Sequence, residues 1–159
     1  AETPDYLAHA ERGLASGNLW YSELGVQLSR GFRALKAWML IKEHGVRKYG
    51  RLVEQNAAQA RYLAGMVDNT PELERVAPAP LNIVCFRYNP GGLDDEALNH
   101  MNKELLVRLH ESGVAVPTYT TLDGKYALRA AITNHRSRRE DFDILVQAVT
   151  RLGEELAPG

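Results

Sequence analysis

Six consecutive segments of distinct hydrophobic pattern run from residue 73 to residue 152, and their order limits the fold more than any other property of the chain. Leu73–Ala77 and Ile83–Tyr88 are short β-prone runs split by Pro78 and Pro80, and the second is apolar almost throughout. Asn89-Pro90-Gly91-Gly92 predicts a turn. Leu98, Met101, Leu105, Leu106 and Leu109 then recur three or four apart, which predicts a helix ending at Gly113. Val114–Thr121 and Tyr126–Ile132 flank Asp123-Gly124, a dipeptide suited to the positive φ angles of a two-residue hairpin turn. Ser137-Arg138-Arg139-Glu140 has capping-box spacing and opens a last helix with Phe142, Leu145, Val146, Val149 and Leu152 on its apolar face.

The order β, β, α, β, β, α with a hairpin predicts an α+β domain: an antiparallel or mixed sheet with helices packed on one face. Two helices are expected before it. Arg30–His44 places Phe32, Leu35, Trp38, Met39 and Ile41 at helical spacing and stops at Gly45; Val46–Val67 carries an alanine-rich stripe and is closed by Asp68-Asn69-Thr70-Pro71. Residues 1–27 show no sustained period and read as irregular. Composition shifts near residue 70, which sets the expected domain boundary.

Several function classes are disfavoured. The 19 basic and 20 acidic side chains leave a net charge of -1, without the basic excess that nucleic acid or an anionic membrane would attract. No apolar run is long enough for a membrane span, and the N-terminus lacks a basic and apolar leader pattern. The single cysteine, Cys85, permits neither an internal disulfide nor a multi-cysteine metal cage, and a reducing cytoplasm suits it. His100 and His110 have no third ligand at usable spacing, so no metal site is expected. Arg136, Arg138 and Arg139 gather at a predicted helix N-terminus, where the macrodipole disfavours cations; they read as a solvated turn, with an anion contact or an interface as the alternative. Trp20, Tyr21, Phe32 and Trp38 put aromatic surface ahead of the sheet, either as core or against a partner surface.

Four segments are similar to a known family. Leu28-Ser29-Arg30-Gly31-Phe32-Arg33-Ala34-Leu35-Lys36-Ala37-Trp38 resembles the L-G-R-x-F-R-[SA]-L-K-x-W segment of the pyridoxal-dependent amino-acid decarboxylases, the group that includes the aromatic-amino-acid decarboxylases. Thr3-Pro4-Asp5-Tyr6-Leu7-Ala8-His9 resembles their D-P-x-Y-L-x-H loop. Ile83-Val84-Cys85-Phe86-Arg87 resembles L-V-C-F-R, and Lys125-Tyr126-Ala127-Leu128-Arg129-Ala130-Ala131-Ile132 resembles K-F-x-L-R-x-x-I. All four keep the family order across nearly the whole chain.

The resemblance implies the C-terminal small domain of a fold-type-I pyridoxal-phosphate enzyme. Residues 1–27 would be a mobile loop and extended segment, 28–69 a helical connection to a large domain, and 70–159 the C-terminal α+β domain. It implies a lyase that removes the α-carboxylate of an L-amino acid, most simply an aromatic one, to give an amine and carbon dioxide. It further implies a cytoplasmic homodimer whose partners are the large cofactor-binding domain and the substrate. Tyr6 on the loop would be the catalytic proton donor, acting at the neighbouring subunit, with His9 supporting loop closure. Arg129 would bind a substrate carboxylate, as the matching arginine does in the glutamate-specific relatives, with a structural salt bridge as the competing account. Arg30 and Arg33 would hold their helix against the large domain.

Two departures matter. Ser29 and Gly31 replace the glycine and the frequent arginine of the helix motif. The family's S-x-x-x-D-x-H-K segment is missing, so none of Lys36, Lys42, Lys48, Lys103 or Lys125 inherits the role of the cofactor-binding lysine. The chain is expected to be a C-terminal portion of a longer polypeptide, with no cofactor site and no activity by itself. The competing expectation is a free-standing α+β regulatory or dimerisation module in which Arg129 anchors a small anion; a related lyase or aldolase is a third.

Overall fold

The computed structural model describes residues 31–157. Its compact units divide at Gly45, so that residues 1–45 and 46–159 are separate bodies and the second long helix belongs with the sheet.

In the first unit, α1 spans Arg33–His44 and ends at Gly45, whose φ of 74° is accessible to glycine and whose N–H donates to the Ile41 carbonyl. None of its residues is buried, and Trp38 and Met39 remain more than half exposed.

The second unit contains α2 (Val46–Asp68), β1 (Leu73–Arg75), β2 (Ile83–Tyr88), α3 (Asp95–Glu111), β3 (Thr118–Leu122), β4 (Lys125–Ala131) and α4 (Arg139–Leu156). The strands form one sheet in the order β1-β2-β4-β3, and every neighbouring pair is antiparallel. The predicted α+β class and element order are therefore found, with the sheet wholly antiparallel rather than mixed.

Strand boundaries differ where proline intervenes. β1 stops at Arg75 ahead of Pro78 and Pro80. The expected strand at Val114 begins only at Thr118, because Pro117 has no N–H to give a ladder. The hairpin turn is as expected: Asp123 and Gly124 both have positive φ, 49° and 79°, and Leu122 pairs with Lys125. At the start of α4 the capping residue is Arg138 rather than Ser137, and it is the Asp141 carboxylate that accepts the Arg138 N–H at 2.9 Å. The predicted box is displaced by one residue, since Asp141 does the work assigned to Glu140.

Period-two alternation divides the sheet. Val84, Phe86 and Tyr88 of β2 and Tyr126, Leu128 and Ala130 of β4 face the helices. There they join Leu63 and Val67 of α2, Leu105 and Leu109 of α3, and Phe142, Val149 and Leu152 of α4 in one core. Two asparagines of α3 tie that helix to strand ends. Fully buried Asn102 accepts the Tyr88 N–H and donates to the Tyr88 carbonyl, both at 2.8 Å, as an extra strand would. Asn99 donates to the Gly124 carbonyl and accepts the Tyr126 N–H.

Gly153 in α4 lies against the Tyr88 ring so closely that a Cβ there would overlap it, whereas a Cβ at Gly50 in α2 would meet nothing within 4 Å. Gly153→Ala should destabilise the chain by about 1–3 kcal/mol through overpacking. Gly50→Ala should be neutral or stabilise by up to about 1 kcal/mol through helix propensity. Thermal unfolding of the two variants checks the contrast.

Candidate functional site

The side chains on the other side of the sheet come from the alternate positions: Cys85 and Arg87 on β2, Lys125, Ala127 and Arg129 on β4, with Glu74 and Thr118 contributed by the outer strands. Two segments read from the sequence as family-like, Ile83–Arg87 and Lys125–Ile132, thus become adjacent strands, and Cys85 pairs directly with Arg129.

The two arginines of this face have opposite surroundings. Arg87 is 98% buried and held at both ends: Nε donates to Glu74 at 2.8 Å, and Nη2 contacts Glu74 at 2.7 Å and Asp95 at 2.8 Å. Glu74 also takes Lys125 Nζ at 2.7 Å and Asn89 Nδ2 at 2.9 Å. Burial pushes the Glu74 carboxyl up, but Lys125, Asn89 and Arg87 outweigh it and hold the group at about 2. Arg129, partly exposed, has no carboxylate partner among the described residues. Its Nη1 reaches the Thr118 hydroxyl at 3.4 Å, and that hydroxyl donates to the Arg129 carbonyl at 3.2 Å. Burial raises the Cys85 thiol pKa, and the facing Arg129 charge partly offsets it.

Arg129 also lines a cavity of about 430 Å³ between residues 114–118, the end of β4 and the first turns of α4. Val114, Val116, Ile144 and Leu145 supply apolar walls; Asp141, also in the lining, accepts the Arg138 N–H. The volume lies within the usual range for ligand sites, about 300–1,000 Å³.

Of the residues singled out in the sequence, Tyr6, His9, Trp20, Tyr21 and Arg30 lie outside the described residues. Of the predicted catalytic and substrate-binding residues only Arg129 is described, and the salt bridge that competed for it is not found among the described residues. The sequence reading passed over Arg87, Glu74 and Asn102. Glutamate and arginine at cross-strand positions do carry a pairing signal, but the register that reveals it depends on which strands are neighbours.

The pyridoxal-dependent decarboxylase conserved domain matches residues 2–89, more than half of the chain. The chain belongs to this family. It is 30% identical over 155 residues to an aromatic-L-amino-acid decarboxylase of Bacillus atrophaeus, covering 97% of this chain and 32% of that protein. Two crystal structures show the same fold. Oryza sativa TDC with PLP and tryptamine has a TM-score of 0.78 at 25% identity, over 87% of this chain and 30% of that one. Catharanthus roseus tryptophan decarboxylase in complex with L-tryptophan has a TM-score of 0.72 at 27% identity, over 82% and 28%. The chain thus spans about a third of the length of the relatives it matches. Membership of this family, with the α+β C-terminal fold, accords with the decarboxylase expectation and not with a free-standing module.

Pyridoxal phosphate requires a lysine amine at its carbonyl carbon and groups to hold its phosphate and ring nitrogen. The described residues do not fit it by themselves. Lys125 is committed to Glu74, Lys103 lies over the Tyr126 ring, Lys42 lies over Trp38, and the cavity beside Arg129 has no lysine in its lining.

Two outcomes follow from the contrast between the arginines. Arg129→Gln should change unfolding free energy by less than about 0.5 kcal/mol, whereas Arg87→Gln should cost about 3–5 kcal/mol by leaving Glu74 and Asp95 beside an uncharged side chain; chemical denaturation measures both. The depressed Glu74 pKa stabilises the fold fully above the ordinary carboxylate value of 4.5, and that contribution is lost as pH falls toward about 2. A pH series of unfolding midpoints should show this acid loss in the parent and a shallower one in Glu74→Gln.

Proposed function

We propose that this chain supplies the C-terminal α+β portion of a pyridoxal-phosphate-dependent decarboxylase that removes the α-carboxylate of an aromatic L-amino acid, giving an amine and carbon dioxide. The observation that carries the reading is the pairing of the two family-like strands, which puts Arg129 on the face of the sheet away from α2, α3 and α4 with no carboxylate partner among the described residues.

Pyridoxal phosphate, held by the large domain, would supply the electron sink for decarboxylation. Its lysine comes from a portion of the polypeptide outside these residues, and that large domain is the first partner. The chain's own groups bind and move a proton. Arg129 offers a planar fork of N–H donors suited to a carboxylate. Tyr6, on the loop segment, donates a proton to the α-carbon after carbon dioxide leaves, and His9 supports closure of that loop over the site. The proton is delivered to the neighbouring subunit of a homodimer in the cytoplasm, whose reducing conditions suit the unpaired Cys85.

The experiment joins this chain to a lysine-bearing N-terminal half of the family and measures carbon dioxide release from L-tyrosine and L-tryptophan. The 159-residue chain alone should release none, and the joined polypeptide should be active. Tyr6→Phe should slow turnover by about 10²–10⁴-fold, and Arg129→Gln should raise KM by about tenfold. An inactive joined polypeptide, correctly folded and loaded with cofactor, would reject the reading.

A further inference from the structure

We propose that β3 pairs with β3 of a second copy of this chain, antiparallel and centred on Thr120, so that two sheets join into one across a two-fold axis. The contact uses no residue given a part in decarboxylation, and it stands or falls apart from that reading.

The two edges of the sheet are guarded differently. β1 is three residues long, its Glu74 and Arg75 are both held in ion pairs, and Pro78 and Pro80 follow it. Edges that are short, charged and bounded by proline resist the addition of a strand. β3, at the opposite edge, reads Thr118-Tyr119-Thr120-Thr121-Leu122, with no charge, glycine or proline inside it. Its β-branched and aromatic residues suit a further ladder.

The hairpin decides which backbone groups are free. Leu122 and Lys125 close the two-residue turn as a hydrogen-bonded pair, so Thr120 with Ala127 and Thr118 with Arg129 are hydrogen-bonded pairs as well. The N–H and C=O groups of Tyr119 and Thr121 therefore point away from β4, and no backbone group among the described residues meets them. An antiparallel copy centred on Thr120 sets Tyr119 against Thr121 of the second copy and Thr121 against its Tyr119, and each pair exchanges two hydrogen bonds. Other registers lose some of these. Centring on Tyr119 brings Thr121 against Pro117, which has no N–H, and centring on Thr121 brings Tyr119 against Asp123 in the turn. Because β3 is uncharged, pairing with itself places no like charges opposite one another.

Apolar surface accompanies the seam. His110 Nε2 reaches the Pro117 carbonyl at 2.8 Å, and Lys103 lies over Tyr126, the cross-strand partner of Thr121. Val107 falls between His110 and Lys103 on the same row of α3, level with the middle of β3. It is 49% exposed, and Tyr119, on the same side of the sheet, is 62% exposed. A second copy across the axis takes both from water.

The test is sedimentation equilibrium of the 159-residue chain, with amide hydrogen exchange on the same samples. The parent should dimerise with a dissociation constant on the order of 10–100 μM, as a small interface does. Exchange of the Tyr119 and Thr121 amides should slow as the dimer fills. Thr121→Pro removes one outward N–H from each copy and spares the ladder to β4; it should weaken association about tenfold or more with the chain still folded. Thr120→Lys and Thr120→Glu should each weaken it about tenfold or more, since residue 120 faces itself across the axis. An equimolar mixture of those two variants should return to within about threefold of the parent, a result that damage to the fold would not give. A parent that stays monomeric up to about 1 mM, dimers indifferent to all three substitutions, a mixture no tighter than either variant, or unslowed Tyr119 and Thr121 amides in the dimer would each overturn the inference.

Discussion

The alternation of side chains along β2 and β4 is the constraint from which the rest of the structure follows. On one side it sends Val84, Phe86, Tyr88, Tyr126, Leu128 and Ala130 into a core with three helices. On the other it lines up Cys85, Arg87, Lys125, Ala127 and Arg129, a row no soluble core would accept without partners. Slipping either strand by one residue would exchange the two sets, so register and function are fixed by the same pattern. The Asp123-Gly124 turn and the asparagine contacts of α3 hold that register at the sheet's ends.

Within the charged row the chain uses arginine in two ways. Arg87 is a structural cation: buried, doubly paired and joined through Glu74 to Lys125, it links β1, β2, β4 and the start of α3. Arg129, two positions along from Ala127, is left with a threonine hydroxyl. Neutralisation of the first and openness of the second are what make Arg129 the candidate for a ligand's carboxylate, on physical grounds that do not depend on the family.

Much of this was legible in the sequence. The six-segment order, the hairpin turn and the apolar faces of the helices each have a local signal, and the structure contains all of them. Strand ends were less legible, because Pro117 shortens β3 in a way that β-propensity alone does not register. Arg129 stood out as a charge interrupting an apolar strand. Arg87 did not, since its partners Glu74 and Asp95 lie thirteen and eight residues away and meet it only once the sheet order is set. Asn102 was invisible for a related reason: a polar residue in an amphipathic helix reads as solvent-facing until the strand end it clamps is known. Tyr6 and His9 rest on the loop motif and on membership of the pyridoxal-dependent decarboxylase family.

The central claim is that Arg129, which has no carboxylate partner among the described residues, meets one from a ligand. The most direct measurement is a crystal structure of this chain joined to a lysine-bearing half of the family, with an unreactive aromatic carboxylate bound. The account predicts the ligand's carboxylate on the Arg129 guanidinium while Arg87 retains Glu74 and Asp95. A structure in which an aspartate or glutamate of the protein occupies Arg129, and the ligand lies elsewhere, would contradict it.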